Sequence, residues 1–355
     1  MTYQYVYWVA FAVLLTGLLL DWKRLAEGTR FLFFIPILIL LAVVVSVTTD
    51  QFDIDVYKGI YQRLAEPPGE WRIDMFPEYG FQALNYLFSG VLGLEFEVFR
   101  FVFALTSLVI LYFCVSKLTD KHGMFFLLYY PKYFLIGLIS HVRSGFVNPF
   151  IFLAIHWAVK GRYLYILMLS AVLSQIHLSA IFLNIISALA IPKLRLFYIL
   201  SVIPLGLIFL YVFYPVVSGF LSVLEFRQSG YFEAVDGREL FGIEFVRRIA
   251  LLCLCAYTVT HSKVRTPADD LVMKVFILSV FVYTGFFDAK FIADRVGGML
   301  GFVEPLVLLI FMKSNERLDN KFLSYLIVVA YACGDFLIRA LGLNALPGHA
   351  ALNWF

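Results

Sequence analysis

Long apolar runs limit what this chain can fold into more than any other feature. A helix that crosses a bilayer needs about 20 apolar residues. Runs close to that length occupy 4–20, 31–48, 97–116, 122–139, 144–159, 196–217, 244–261, 271–287, 295–312 and 321–341. Backbone N–H and C=O groups find no water inside a bilayer, so these runs must be helical. The chain is also 62% hydrophobic, with a mean hydropathy of +0.86, more than a soluble core needs. The sequence predicts an all-α polytopic integral membrane protein with a single domain over 1–355.

One further apolar stretch lies between Arg162 and Lys193. At roughly 30 residues it is too long for a single untilted span, and Ser174-Gln175-Ile176-His177 interrupts it. This pattern predicts two short helices, 163–174 and 178–191, with His177 at their junction. The total is then about twelve membrane segments.

The basic residues predict the orientation of these segments. They fall in every second loop, as Lys23/Arg24/Arg30, Lys117/Lys121, Lys160/Arg162, Lys193/Arg195, Lys263/Arg265 and Lys313/Arg317/Lys321. Loops rich in Lys and Arg stay on the cytoplasmic side. Both termini, a large first loop over 48–96 and a second loop over 218–243 are therefore expected on the outer side.

The first outer loop is acidic and rich in tyrosine. One helix face, with the spacing i, i+4, i+7, i+8 and i+11, holds Asp53, Tyr57, Ile60, Tyr61 and Leu64. Pro67-Pro68-Gly69 must end this helix. After Glu78, the run 81–88 is amphipathic and too short to span, so we expect it to lie in the interface.

Several ionisable residues lie at or inside apolar segments, where a charge is costly and usually faces a cavity or a partner. Arg143, Arg248 and Arg295 each lie near the start of an apolar run. Arginines bind a diphosphate through charge-assisted hydrogen bonds, and a His or Glu can take a proton from an attacking hydroxyl. Taken together, the three arginines, His177 and the acidic loop favour a reaction in which a glycan is transferred from a lipid diphosphate.

Each of these residues also has a purely structural interpretation. Arg143 and Arg295 can anchor at the interface by snorkelling, and His177 can form a hydrogen bond between helices. Tyr57 and Tyr61 suit an aromatic belt as well as a sugar site. A local ion pair is expected for Asp335 and Arg339, four residues apart, and Glu304 can satisfy a neighbouring donor.

Other functions find little support in the sequence. No glycine-rich phosphate loop is present, and Lys and Arg are spread over loops instead of forming a patch for nucleic acid. All four cysteines lie in apolar runs. Cys253 and Cys255 would point to different helix faces, so neither a disulfide nor a metal cluster is predicted.

Three blocks of the sequence resemble the Wzy/EpsG-type polymerases of bacterial O-antigen and exopolysaccharide synthesis. The first is Asp53-x3-Tyr57-x3-Tyr61 followed by Glu78 in FPEYGF. The second is HVRSGFVNPFIFLAIHWAVKGRYLYILMLSAVLSQIHLSAIF, in which Arg143 begins a span and His177 breaks a hairpin. The third is Asp294-Arg295 at the head of a late span. Together the motifs cover roughly 45–195 and 285–312.

The resemblance implies a GT-C-like glycosyltransferase in the bacterial inner membrane. Its donor and acceptor would be oligosaccharides on undecaprenyl diphosphate, joined at the periplasmic face. A flippase and a chain-length regulator are possible partners; no cofactor and no nucleic acid are implied.

Roles for individual residues follow from the same resemblance. It implies that Arg143, Arg295 and Arg248 bind the diphosphate, so that no metal is needed. His177 is expected to act as the base or to position the acceptor, and Glu78 is the competing base if burial raises its pKa. The acceptor sugar would lie against Asp53, Tyr57 and Tyr61.

Two other functions stay open. In a metal-dependent GT-C transferase that uses a polyprenyl-monophosphate sugar, the acidic DQFDID segment over 50–55 would hold the ion. A lipid-linked oligosaccharide flippase or other transporter would also need charges in a cavity, although transporters often show an internal repeat and none is visible in this sequence.

Overall fold

The computed structural model describes residues 4–22, 26–48, 54–65, 78–190, 194–214, 242–262, 264–288, 290–316 and 320–345. Regular structure in these ranges is helical, without strands. The helices are α1 Gln4–Trp22, α2 Glu27–Val47, α3 Ile54–Arg63, α4 Tyr79–Tyr86, α5 Phe96–Val115, α6 His122–Tyr129, α7 Val142–Val147, α8 Phe150–Val159, α9 Tyr163–Ser174, α10 Ile185–Leu189, α11 Leu196–Ile208, α12 Ile243–His261, α13 Pro267–Gly285, α14 Lys290–Gly301, α15 Glu304–Asn315 and α16 Lys321–Ala345. Wider π-helical turns continue α4 over Leu87–Val91, α6 over Tyr130–Leu138 and α11 over Phe209–Phe213.

Six helical segments of the described chain are long and apolar enough to cross a membrane. They are Glu27–Val47, Phe96–Val115, Val142–Val159, Leu196–Phe213, Arg295–Asn315 and Lys321–Ala340. Shorter apolar helices cover Tyr5–Leu19, Tyr163–Ser174 and Leu178–Leu189. The prediction of an all-helical, multi-pass membrane protein is confirmed, while the count of about twelve segments and the GT-C-like arrangement stay predictions.

The chain divides into two compact units. The first unit comprises Met1–Leu153, Leu164–Leu183 and Ala330–Ala351, and the second comprises Ala154–Tyr163, Asn184–Val329 and Leu352–Phe355. The prediction of a single domain over 1–355 is not tested by this division.

The first unit has a core rich in aromatic side chains. Phe34, Tyr112 and Phe126 are fully buried and their rings contact one another. In the second unit, α13 is buried along most of its length, and a capping box at Thr266 and Asp269 begins it. A cluster of Leu210, Tyr214, Phe245, Tyr283 and Phe287 fills one part of that unit.

The two local predictions for the outer loop and the hairpin agree with the structure. Helix α3 buries Tyr57, Ile60 and Tyr61 on one face, as the periodicity predicted. Asp53 and 67–69 lie outside the described residues, as does 215–241 in the second loop. The apolar hairpin breaks at His177, where α9 ends and a 3₁₀ turn over Leu178–Asn184 begins.

The predicted span 295–312 lies within the apolar segment Arg295–Asn315 and contains one break. Helix α14 ends at Gly301 and α15 begins at Glu304. Pro305 has no N–H, and its ring would clash with the carbonyl four residues earlier, which belongs to Gly301. The proline therefore separates the two helices and brings Glu304 to the first turn of α15.

Candidate functional site

A buried ion pair joins two distant segments of the first unit. Glu78 immediately precedes α4 and is 5% exposed, while Arg143 lies in the first turn of α7 and is 8% exposed. Arg143 Nη1 donates to Glu78 Oε2 at 2.8 Å. Breaking a buried pair of this kind costs about 3–5 kcal/mol, because one charge is left without its partner. The pair therefore holds α4 and α7 together.

His177 lies on the other oxygen of the same carboxylate. Its Nδ1 is 3.4 Å from Glu78 Oε1, and the N–H of Leu178 donates to that oxygen at 3.3 Å. His177 is 5% exposed and is placed by the end of α9, where its own N–H bonds to the carbonyl of Leu173. Glu78 thus lies between an arginine and a histidine.

Aromatic rings cover the arginine. Tyr57 on α3 accepts a hydrogen bond from Arg143 Nε at 3.3 Å, and its ring lies 5.7 Å from the guanidinium carbon. The ring of Phe81 lies 5.6 Å from the same carbon. Such contacts stabilise a cation, most strongly where water is excluded. We call Tyr57, Glu78, Arg143 and His177 the Glu78 cluster.

A glycine allows the two backbones of the site to approach. Phe81 N–H donates to the carbonyl of Gln175 at 3.0 Å, which ties α4 to the hairpin beside His177. A Cβ on Gly80 would lie 2.9 Å from the Cβ and carbonyl oxygen of Gln175. Only a residue without a side chain fits there, so Gly80 sets the distance between Glu78 and His177.

The charges around Glu78 keep it ionised. Burial is the largest single influence and raises the pKa of this carboxyl, but the contact with His177, the charge of Arg143 and the N–H of Leu178 together lower it below its ordinary value. The pKa of Glu78 is thus lowered, whereas a base would need a raised one; the assignment of Glu78 as the competing base stays a prediction.

The predicted acceptor residues do not all lie in this cluster. Tyr57 does, but Tyr61 donates through its hydroxyl to the carbonyl of Leu94 at 2.8 Å, and its ring packs on Phe96 and Phe99. Asp53 lies outside the described residues. Asp50 also does, so the acidic segment proposed for a metal is not tested by the structure.

The predicted diphosphate residues divide between the two units, with Arg143 in the first and Arg248 and Arg295 in the second. Arg248 is 4% exposed. Its Nη1 donates to Ser279 Oγ at 3.3 Å, its Nε lies 3.2 Å from Glu244 Oε1, and its guanidinium covers the ring of Tyr283 at 4.4 Å. Arg295 lies in α14 and is half-buried. A joint role for the three arginines stays a prediction.

Arg248 belongs to a network of four charged side chains. Arg247 donates to Glu244, with Nε–Oε2 at 3.0 Å, and to Glu304. Glu304 is 4% exposed and satisfies this neighbouring donor, as expected from the sequence. We call Glu244, Arg247, Arg248 and Glu304 the Arg248 cluster; its two arginines are balanced by two glutamates.

Sequence reasoning missed several of these contacts. Nothing in the sequence around Gly80 and Phe81 indicates that they contact distant residues. Glu244 could have been found, because it lies three and four residues before Arg247 and Arg248 on one helix, the spacing at which opposite charges pair.

The fold and these two clusters define a class: a multi-pass helical membrane protein with buried, paired charged side chains. A family model described as "EpsG family" matches residues 30–347, and the chain belongs to this family. The EpsG family is a Wzy-type polymerase-like family, associated with glycosyltransferase-like polymerase activity. No curated protein and no solved structure matches the chain.

Proposed function

We propose that this protein is a glycosyltransferase that polymerises oligosaccharide repeat units linked to undecaprenyl diphosphate. It would act at the periplasmic face of the bacterial inner membrane, with both termini on that side, and extend an O-antigen, capsule or exopolysaccharide. The observation that carries the proposal is the buried carboxylate of Glu78, held between Arg143 and His177 in a member of the EpsG family.

In the proposed reaction, His177 is the base. With Nδ1 directed at Glu78, Nε2 is the nitrogen that takes the proton from the acceptor hydroxyl. The hydroxyl oxygen forms a bond to the anomeric carbon of the donor, and the bond from that carbon to the diphosphate oxygen breaks. The electron pair leaves with the diphosphate. Glu78 orients the ring and stabilises the imidazolium, as a carboxylate does in hydrolytic triads.

The change in net charge of the Glu78 cluster during the reaction favours departure of the diphosphate. Before the reaction, the charges of Glu78 and Arg143 cancel. Once His177 holds the proton, the cluster has a net charge of +1, and negative charge is then developing on the diphosphate. A guanidinium has five N–H donors, so Arg143 can bind Glu78 and a diphosphate oxygen together. Preorganised donors of this kind are usually worth about 10²–10³ in rate each.

The remaining predicted residues complete this account. Arg248 and Arg295 are proposed as further diphosphate ligands, and Asp53, Tyr57 and Tyr61 as the wall of the acceptor site. A flippase would supply the lipid-linked repeat units, and a chain-length regulator would act on the growing polymer. In this proposal the three arginines donate hydrogen bonds to the diphosphate oxygens, and no metal takes part in the reaction.

The test is to incubate the purified protein in nanodiscs with lipid-linked repeat units, with and without EDTA. The expected result is a ladder of products that differ by one repeat unit, equally strong in both samples. A ladder that EDTA abolishes would replace this proposal with the metal-dependent transferase. Translocation of the lipid-linked unit without any ladder would replace it with the flippase.

A further inference from the structure

A cavity opens beside Tyr61, on the surface of the first unit. Its volume is about 650 Å³, within the range of about 300–1,000 Å³ that ligand sites usually have. Residues of α3, of the π-helical turn after α4 and of the start of α5 line it. Of the residues that the sequence motifs single out, Tyr61 lines this cavity.

The floor of the cavity is apolar and fixed. Tyr61 and Phe96 are 3% and 5% exposed, and their ring centroids are 5.4 Å apart. The hydroxyl of Tyr61 is bonded to the carbonyl of Leu94, which ties α3 to the segment before α5. A ligand here would rest on a preformed surface, without ordering these side chains.

The rim is polar and carries both signs of charge. Lys58 Nζ lies 3.1 Å from Glu97 Oε1, so the lysine is already neutralised. Gln62, Ser89 and Glu95 add an amide, a hydroxyl and a second carboxylate. The lining residues therefore hold one positive and two negative side chains, a net charge of −1. This charge disfavours a phosphate, whereas the mixture of donors and acceptors suits hydroxyl groups.

Helix α3 connects the cavity to the Glu78 cluster. Tyr57 accepts a hydrogen bond from Arg143, and Tyr61, one turn later on the same buried face, contributes to the cavity floor. Four helical residues rise about 6 Å. The cavity floor therefore lies about one helical turn along α3 from the Glu78 cluster, a distance close to the length of one sugar.

We infer that this cavity binds the acceptor oligosaccharide at the sugar next to the one that attacks, and that it selects a neutral or amino sugar over a uronic acid. The inference rests on the proposed function and adds the subsite and its charge preference. Its polar contacts would come from Gln62, Ser89, Glu95 and the Lys58–Glu97 pair.

The decisive variant is Gln62→Trp, which fills the cavity from an exposed position. The matched control is Val56→Trp, exposed on the same helix and away from the cavity. In the nanodisc assay, we expect Gln62→Trp to raise the KM for the lipid-linked acceptor about tenfold, a loss of roughly 1.4 kcal/mol in binding, with kcat within twofold of wild type. Glu95→Lys should raise the same KM several-fold.

Equal KM values for Gln62→Trp and Val56→Trp would overturn the subsite. The charge preference is tested separately, by mass spectrometry of the natural lipid-linked repeat unit. A neutral or amino sugar next to the attacking one supports the preference, and a uronic acid there contradicts it. If wild-type protein makes no ladder at all, the proposed function fails; if it makes one and the two tryptophan variants behave alike, only the subsite fails.

Discussion

The Glu78 cluster and the Arg248 cluster both bury arginine against glutamate, but only the Arg248 cluster also contains pairs within one helix. Glu78 meets residues 65 and 100 positions later in the chain. Glu244 meets arginines three and four positions later on its own helix. Local pairs form as soon as the helix forms, whereas the Glu78 pairs need several elements to be in place. The Glu78 cluster therefore forms only once the helices of its unit have packed together.

The two clusters also differ in what they can do chemically. The Glu78 cluster contains a histidine, whose ring nitrogens can accept and donate a proton. The Arg248 cluster has two arginines and two glutamates and no such group among its members. The first suits proton transfer, and the second suits holding a fixed charge in place.

The largest effect is expected from Glu78→Gln. It leaves the charge of Arg143 buried without its partner, so we expect a loss of about 3–5 kcal/mol in the free energy of unfolding and no polymer. Replacing both residues, as Glu78→Gln with Arg143→Met, should recover part of the stability and none of the activity. Thermal unfolding in detergent and the ladder assay measure the two effects. A double variant less stable than Glu78→Gln would contradict the ion-pair interpretation.

A smaller effect is expected in the Arg248 cluster. Glu244→Gln removes one charged acceptor, but Arg247 keeps Glu304 and Arg248 keeps Ser279. The expected loss of stability is about 1.5–3 kcal/mol, below that of Glu78→Gln. Glu316→Gln, at an exposed position, is the control and should not change stability. If Glu244→Gln costs as much as Glu78→Gln, the contrast between the clusters is wrong.

The contact between α4 and the hairpin can be tested with Gly80→Ala. The added Cβ meets Gln175 at 2.9 Å, and overpacking of this kind typically costs about 1–3 kcal/mol. We expect activity to fall more than stability, because Glu78 and His177 are pushed apart. Gly59→Ala is the matched control, since its Cβ would meet only the end of Arg63 at 3.9 Å. Equal activity of the two variants would show that Gly80 does not position Glu78 beside His177.

The smallest effect is a pH dependence. The pKa of Glu78 is lowered in the folded protein, so its stabilisation is complete above the ordinary glutamate value of about 4.3 and is lost as the pH falls through the lowered value. The difference in unfolding free energy between wild type and Glu78→Gln should therefore not shrink as the pH falls from about 8 to 5. It should shrink only at more acidic pH. A difference that shrinks already between pH 7 and 5 would show that Glu78 titrates in the range of a base.

Local sequence patterns predicted the local parts of this structure. Helical spacing identified the buried face of α3, and the polar interruption at His177 identified the break in the hairpin. The pair of Asp335 and Arg339, four residues apart, was expected and is found at 3.0 Å. Each of these depends on residues within about one or two turns of a helix, where spacing alone decides which side chains meet.

The long-range contacts could not be predicted in the same way. The sequence suggested separate roles for Glu78 and Arg143, and nothing in their spacing shows that they form an ion pair. The contact with His177, the charge of Arg143 and the N–H of Leu178 together reverse the expected effect of burial on the pKa of Glu78. Periodicity tells which face of a helix is buried and not which residue covers it. The break before Glu304 was visible in principle, because Pro305 follows it.

The most direct test of the central claim is the rate of polymerisation by purified His177→Ala, compared with wild type and with His261→Ala. His261 is exposed at the end of α12 and serves as a matched histidine. Loss of a general base should lower kcat by about 10²–10⁴ in His177→Ala while the ladder made by His261→Ala matches wild type. A folded His177→Ala protein that polymerises lipid-linked repeat units within about tenfold of the wild-type rate would contradict the assignment of the Glu78 cluster as the reaction centre.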